Sequence, residues 1–183
     1  MSNNPLAERE SRFRGIVFNH ATGTVLASYD RDEERRTVRS LYVRDPMSKD
    51  YERLSAPDDR TSYDSPVAAR DAPYVFINVM VIGDRGGGNW LHVARVHVPT
   101  RSIEVAFTPK DLFAVTKTPR EWRIAPWVSD LMRASDDGRI VTCSVGIPEA
   151  RPDGSFHMNY SIFDLDVVSR SLVRLADLDT PFN

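Results

Sequence analysis

The chain contains little that points to a secreted, membrane or nucleic-acid-binding protein. Its single cysteine, Cys143, cannot form an internal disulfide and has no second thiol for a structural zinc site. No apolar run approaches the roughly 20 residues needed to span a bilayer, and the first residues lack the apolar core of a signal peptide. The formal net charge of -2 gives no basic field for nucleic acid or an anionic membrane. We therefore expect a cytoplasmic protein with no nucleic-acid partner and no membrane partner.

The sequence also lacks the spacing of the common catalytic and metal sites. His92 and His97 are an odd number of positions apart on one predicted strand, so they point to opposite faces. The run Gly86-Gly87-Gly88 is not followed by a helix or a phosphate-loop lysine. The aspartates that could suggest calcium lie on separate turns rather than in one loop; they are Asp136, Asp137, Asp164 and Asp166. We expect no cofactor and no metal, and we favour a non-enzyme while the question of catalysis stays open.

What the chain does contain is an internal repeat. Residues 40–54 reappear in altered form as residues 161–175. The identical pairs are Ser40/Ser161, Asp45/Asp166, Ser48/Ser169, Arg53/Arg174 and Leu54/Leu175. Repetition on a scale of about 50 residues indicates a stacked or radial architecture.

Strand signals dominate the rest of the sequence, as short β-branched and aromatic runs between turn residues. They divide one domain, residues 1–183, into three units at 12–60, 61–108 and 120–178. Each unit reads as a four-stranded antiparallel meander, with a charged loop at 30–36 in the first and an opening strand at 66–69 in the second. A short helix is predicted from Thr108 to Val115, because threonine can cap it and Pro109 fits its first position.

The third unit resembles a known repeat. Its segments 135–141 (SDDGRIV), 162–166 (IFDLD) and 172–175 (LVRL) are similar to the blade repeat of TolB-like and prolyl-oligopeptidase β-propellers. The resemblance implies a blade architecture and no particular activity, since such blades serve as scaffolds, binding modules and lids. The hydrolase domain of some members needs a Gly-x-Ser-x-Gly elbow, and this sequence has none.

Three blades cannot close a ring, because propellers have about four to eight. We expect this half-propeller to be completed to six blades by a C2 homodimer. The alternatives are a fragment of a longer propeller and a β-sandwich, although a sandwich needs no internal sequence period. Within the blades, the residues expected to be buried are Leu41, Val43, Ile162 and Leu165.

Alignment of the three units places a charged side chain near the start of each inner strand, at Arg14, Asp64 and Asp130. These residues either hydrate a water-filled channel or converge on a ligand at its mouth. Two functions remain: a binding or interaction module of unknown ligand, which we favour, and a small hydrolase, lyase or isomerase acting at the channel mouth. The charged segment 30–36 is the alternative docking surface.

Overall fold

The fold consists of three four-stranded antiparallel sheets. It is seen in a computed structural model, which describes residues 13–33, 36–55, 61–81, 90–116, 118–119 and 125–178. The first sheet contains β1 (Phe13–Asn19), β2 (Thr24–Glu33), β3 (Arg36–Arg44) and β4 (Glu52–Arg53). The second contains β5 (Thr61–Ala68), β6 (Tyr74–Val81), β7 (Trp90–His97) and β8 (Ser102–Phe107). The third contains β9 (Trp127–Ala134), β10 (Ile140–Ala150), β11 (Phe156–Asp166) and β12 (Ser171–Leu178). Strands lie in chain order within each sheet. The predicted all-β half-propeller of three blade-like sheets is confirmed.

One short helix, α1 (Pro109–Thr116), links the second and third sheets. Asp111 caps its start, because its Oδ2 accepts the Thr108 backbone N–H at 2.8 Å and the Thr108 hydroxyl at 2.8 Å. Leu112 anchors the helix in the core at 1% exposure. The predicted helix is therefore present, displaced by one residue. Among the described residues, no helix has the length and apolarity to cross a bilayer.

The middle sheet is buried on both faces, and alternation along β6 divides its side chains between two cores. Val75, Ile77 and Val79 pack against the first sheet, in a cluster that includes Leu26 and Leu41. Phe76 points the other way and packs against the third sheet, in a cluster that contains Val128, Val141, Cys143, Val145, Phe163 and Leu165. The outer sheets thus each bury one face on the middle sheet, as neighbouring propeller blades do.

The sequence repeat corresponds to a repeated register. Tyr42 pairs with Arg53 across β3 and β4, and the equivalent Phe163 pairs with Arg174 across β11 and β12. The repeated aspartates also hold the same kind of partner. Asp45 accepts a hydrogen bond from Arg101 at 2.6 Å, and Asp166 accepts one from Arg139 at 2.7 Å.

The burial predicted for Leu41, Val43 and Leu165 is correct, whereas that for Ile162 is wrong. Ile162 is partly exposed and its neighbour Phe163 is buried instead. The reason is that the first and third sheets lie on opposite sides of the middle sheet. Equivalent positions therefore face the core in one sheet and the outside in the other. Ile162 occupies the position of the fully buried Leu41, on the face of the third sheet that no other described strand covers.

Two strand assignments from the sequence also need correction. The charged segment 30–36 was expected to be a loop, but β2 continues to Glu33 and β3 starts at Arg36, and residues 34–35 between them lie outside the described residues. The opening strand of the second unit is longer than residues 66–69 and begins at Thr61. Pro66 lies within it at a β-bulge, where Ser65 has a φ of 49°. A bulge tolerates proline because its residues are outside the regular hydrogen-bond ladder.

The first turns of the three sheets meet one another. Asn19, at the β1–β2 turn, is fully buried, and its Nδ2 donates to the backbone oxygens of Ala69 at 3.1 Å and Ala72 at 2.9 Å in the β5–β6 turn. From the other side Gly138, in the β9–β10 turn, approaches Tyr74 so closely that an added Cβ would lie 2.8 Å from its ring. These contacts fix the sheets at one end, and the candidate site lies at the other.

Candidate functional site

A cavity of about 170 Å³ opens where the inner strands β5 and β9 begin. All three sheets contribute to its walls. Arg39 comes from the first sheet. The other lining residues are Ser62, Asp64, Asn78 and Met80 of the second sheet and Trp127, Val128 and Ser129 of the third.

Strand register explains why the second sheet presents its polar side chains here. Ser62 pairs with Met80 and Asp64 with Asn78, so all four share one face of the sheet. This is the face of Phe76, two residues before Asn78, and it is covered by the third sheet. The cavity is therefore the polar end of an interface whose remainder is apolar.

Arg39 reaches the cavity because the β2–β3 hairpin extends beyond β1. The last pair between β1 and β2 is Phe13 with Tyr29, while β2 and β3 remain paired beyond it, through Arg39 opposite Asp30. In this overhang the Arg39 backbone N–H donates to Ser62 Oγ at 3.1 Å, and its guanidinium forms an ion pair with Asp64. The Asp64 carboxylate also accepts the Ser65 N–H at 2.9 Å.

Asn78 is the most unusual residue of the cavity wall. It is only 6% exposed, and its Oδ1 accepts no hydrogen bond from any residue that the structure describes. Buried side-chain acceptors are nearly always paired, so this oxygen is unusual, although it has no surface open to the cavity itself.

The three site residues predicted from the sequence have different surroundings. Asp64 lines the cavity, and Asp130 is exposed on β9 directly after the lining residue Ser129. Arg14 is exposed on β1 and is not among the described lining residues; the cation beside Asp64 is Arg39. Binding by Arg14, Asp64 and Asp130 stays a prediction.

Sequence reasoning missed Arg39, Ser62 and Asn78. For Arg39 a signal existed, since the mixed charges of residues 30–36 fit a projecting hairpin as well as a loop. Ser62 lies before the strand start that the sequence suggested. Asn78 stands in the apolar run of β6, where one amide among valines and isoleucines was the available signal.

The other candidates have structural roles. Asp137 accepts the Ser135 hydroxyl at 2.6 Å and the Arg139 N–H at 3.0 Å, which lower the pKa of its carboxyl. Asp164 accepts the Thr142 hydroxyl at 2.6 Å. Cys143 is buried, and burial raises the pKa of its thiol to about 12, which disfavours the reactive thiolate. No metal-binding cluster occurs within the described ranges, and residues 86–88 lie outside them.

Comparison with known proteins supports the fold alone. No protein-family model and no curated protein matches this sequence. Among solved structures, an oligogalacturonate lyase in complex with manganese matches 93% of this chain with a TM-score of 0.59 and 10% sequence identity. The match covers 38% of that chain, so this protein spans well under half of its length. The lyase is a β-propeller enzyme, and the three sheets are propeller-like.

Proposed function

We propose that this chain is a non-enzymatic binding module that holds a small polar ligand in the cavity between its second and third sheets. The observation that carries the proposal is the convergence of three sheets on one partly polar cavity, whose wall includes Arg39, Asp64 and Asn78. Sites for small molecules are concave and largely apolar, with a few converging polar groups that fix orientation. Met80 and Val128 would supply the apolar part, and Arg39, Asp64 and Asn78 the polar part.

The test is a screen of neutral and charged polar fragments by ¹H–¹⁵N NMR. We expect at least one fragment to shift the amide signals of Asn78 and Val128 in a saturable way. The control is Ser129→Trp, which fills the opening from an exposed position and should abolish those shifts. A screen in which no fragment perturbs the cavity amides would refute the binding proposal.

The alternative is an enzyme acting at the same mouth. General acid–base chemistry commonly pairs two titratable groups with different proton affinities. Among the described lining residues Asp64 is the one carboxylate, it is paired with Arg39, and no histidine accompanies it. An arginine keeps its proton at physiological pH. The lining therefore gives less support to catalysis than to binding.

Ring completion by a second copy is part of the proposal. By register Ile16 and Phe18 share the uncovered face of the first sheet, at 61% and 46% exposure. On the third sheet Val173 is 56% exposed beside the half-buried Ile162. Ile162 is the repeat equivalent of the buried Leu41. This face of the third sheet therefore carries an apolar side chain of a kind that is buried in the first sheet. The first sheet of one copy would cover the third sheet of the other.

Two finer assignments belong to the same proposal. The blades are of the TolB-like type, supported by the repeat motifs of the third unit and by the fold of the matched lyase. The protein acts in the cytoplasm, in keeping with one buried cysteine and no disulfide partner for it in the sequence.

A further inference from the structure

The contact between the first and second sheets shows how one blade-like sheet receives the next. Each sheet has a forward face, toward the next sheet in chain order, and a backward face. Leu41 and Val43 of β3 lie on the forward face of the first sheet, and Val96 of β7 lies on the backward face of the second. All three belong to one buried cluster and are at most 1% exposed. This contact therefore brings apolar side chains of the third strand of each sheet together.

The backward face of the first sheet carries an arginine at the position of Val96. Val96 lies opposite Val75, the second residue of β6, and Arg44 lies opposite Val25, the second residue of β2. Arg44 is partly exposed, and its guanidinium carbon lies 5.3 Å from the centroid of the Tyr51 ring. Within the described ranges no carboxylate forms an ion pair with it. Its charge is thus available on a face that no described strand covers.

The forward face of the third sheet carries an aspartate at the position of Val43. Val43 lies opposite Leu26, the third residue of β2, and Asp164 lies opposite Thr142, the third residue of β10. The internal repeat gives the same alignment, because it matches residue 43 with residue 164. Asp164 is partly exposed and accepts the Thr142 hydroxyl at 2.6 Å. No lysine or arginine in the described part of the chain forms an ion pair with it.

The strand residues around these two positions have opposite charge as well. By register the face of Arg44 also carries Arg53, whereas the face of Asp164 also carries Asp130 and a single arginine, Arg133. Basic charge is therefore in excess on the first sheet and acidic charge on the third. Two copies of the first sheet would bring like charges together, while the first sheet of one copy and the third sheet of another would bring opposite charges together.

We propose that Arg44 of one copy and Asp164 of a second copy form an ion pair that determines which sheets meet when two half-propellers close the ring. The pair takes the place that Val43 and Val96 hold between the first and second sheets, and a two-fold axis makes it twice. This inference rests on the proposed ring completion, and it adds that charge selects the partner face. Opposite charges across an interface act chiefly by making the wrong pairing, with like charges in contact, unfavourable.

The test uses the two-fold symmetry of the ring. Arg44→Asp and Asp164→Arg each place like charges in both contacts of a homodimer. In a mixture of the two variants, a heterodimer has the original pair in one contact and the reversed pair in the other. The matched controls are Lys49→Asp and Asp50→Arg, which make the same changes of charge in the exposed β3–β4 connection. Sedimentation velocity at low ionic strength gives the dissociation constants, and circular dichroism checks that each variant is folded.

We expect each interface variant alone to dimerise at least about tenfold more weakly than the wild type, and the mixture to recover affinity to within about threefold of it. Both controls should dimerise as the wild type does. If the wild type dimerises but the mixture stays as weak as either variant alone, or if the single variants lose no affinity, the ion pair is wrong although the ring still closes. If the wild type itself stays a monomer, the proposed ring completion fails, and the ion pair fails with it.

Discussion

At the scale of single residues, we expect substitution of the buried, unpaired Asn78 to change the free energy of unfolding and the ligand affinity in opposite directions. An unpaired buried acceptor costs about 1–3 kcal/mol, and replacing it by an apolar group of similar shape can recover part of that. We therefore expect Asn78→Leu to raise the free energy of unfolding in urea by about 1 kcal/mol while it weakens ligand binding. Most substitutions of buried residues have the opposite effect on stability.

The matched control for this prediction is Asn159→Leu, the same substitution on β11. Its side chain is exposed, so the unfolding free energy should change by no more than about 0.5 kcal/mol. A destabilised Asn78→Leu variant would mean that the Asn78 side chain stabilises the protein on its own, without a ligand.

We expect the contribution of the Asp166 carboxylate to the free energy of unfolding to depend on pH. Hydrogen bonds from the Arg139 guanidinium, at 2.7 and 2.9 Å, and from the backbone N–H of Ser169 and Val168 hold the pKa of this carboxyl well below its usual range. A lowered folded-state pKa stabilises the fold at every pH above the unfolded value of about 3.9, and this contribution declines as the pH falls below it.

Asp166→Asn should therefore be less stable than the wild type at neutral pH, by a margin that shrinks below about pH 4. Urea unfolding of both proteins from pH 7 to about pH 3 measures the margin. A margin that stays constant over this range would show that the charge of Asp166 makes no net contribution to folding.

At the scale of elements, the contact between the first turns of the sheets can be isolated with two glycines. Gly138 and Gly154 both have positive φ, at 68° and 81°, so alanine is strained at either position. An added Cβ would lie 2.8 Å from the Tyr74 ring at Gly138 and would meet nothing within 4 Å at Gly154. The two variants therefore differ in packing against the second sheet.

We expect Gly154→Ala to cost about 1 kcal/mol of unfolding free energy from backbone strain alone. Gly138→Ala should cost about 1–3 kcal/mol more, because it forces the third sheet away from the second. Thermal or urea unfolding measures both. Equal losses would indicate that this contact between turns does not couple the sheets.

The elements also show where sequence reasoning succeeds. Alternation and turn residues predicted three four-stranded sheets, because strand periodicity and turn chemistry are local properties. The β2–β3 overhang was missed, since residues 30–36 are all charged and such a run in a sequence is typical of a loop. Ile162 was placed wrongly because the face that a strand buries depends on the side from which its neighbour packs. The unpaired Asn78 Oδ1 is a tertiary property that no local pattern encodes.

At the scale of the whole molecule, the uncovered faces of the first and third sheets predict self-association. A glutamate at Phe18 would place a charge inside the proposed contact, where its desolvation opposes docking. Phe18→Glu should therefore yield a folded monomer with an unchanged circular dichroism spectrum. The matched control is Met47→Glu, since Met47 is 96% exposed in the β3–β4 connection and lies outside both faces.

The measurement that tests ring completion most directly is the mass in solution by light scattering at micromolar concentration. We expect the wild type and Met47→Glu to have twice the 20.7 kDa of one chain, and Phe18→Glu to have the mass of one chain. A wild-type protein that stays at 20.7 kDa across the micromolar range would contradict the closed ring of two half-propellers.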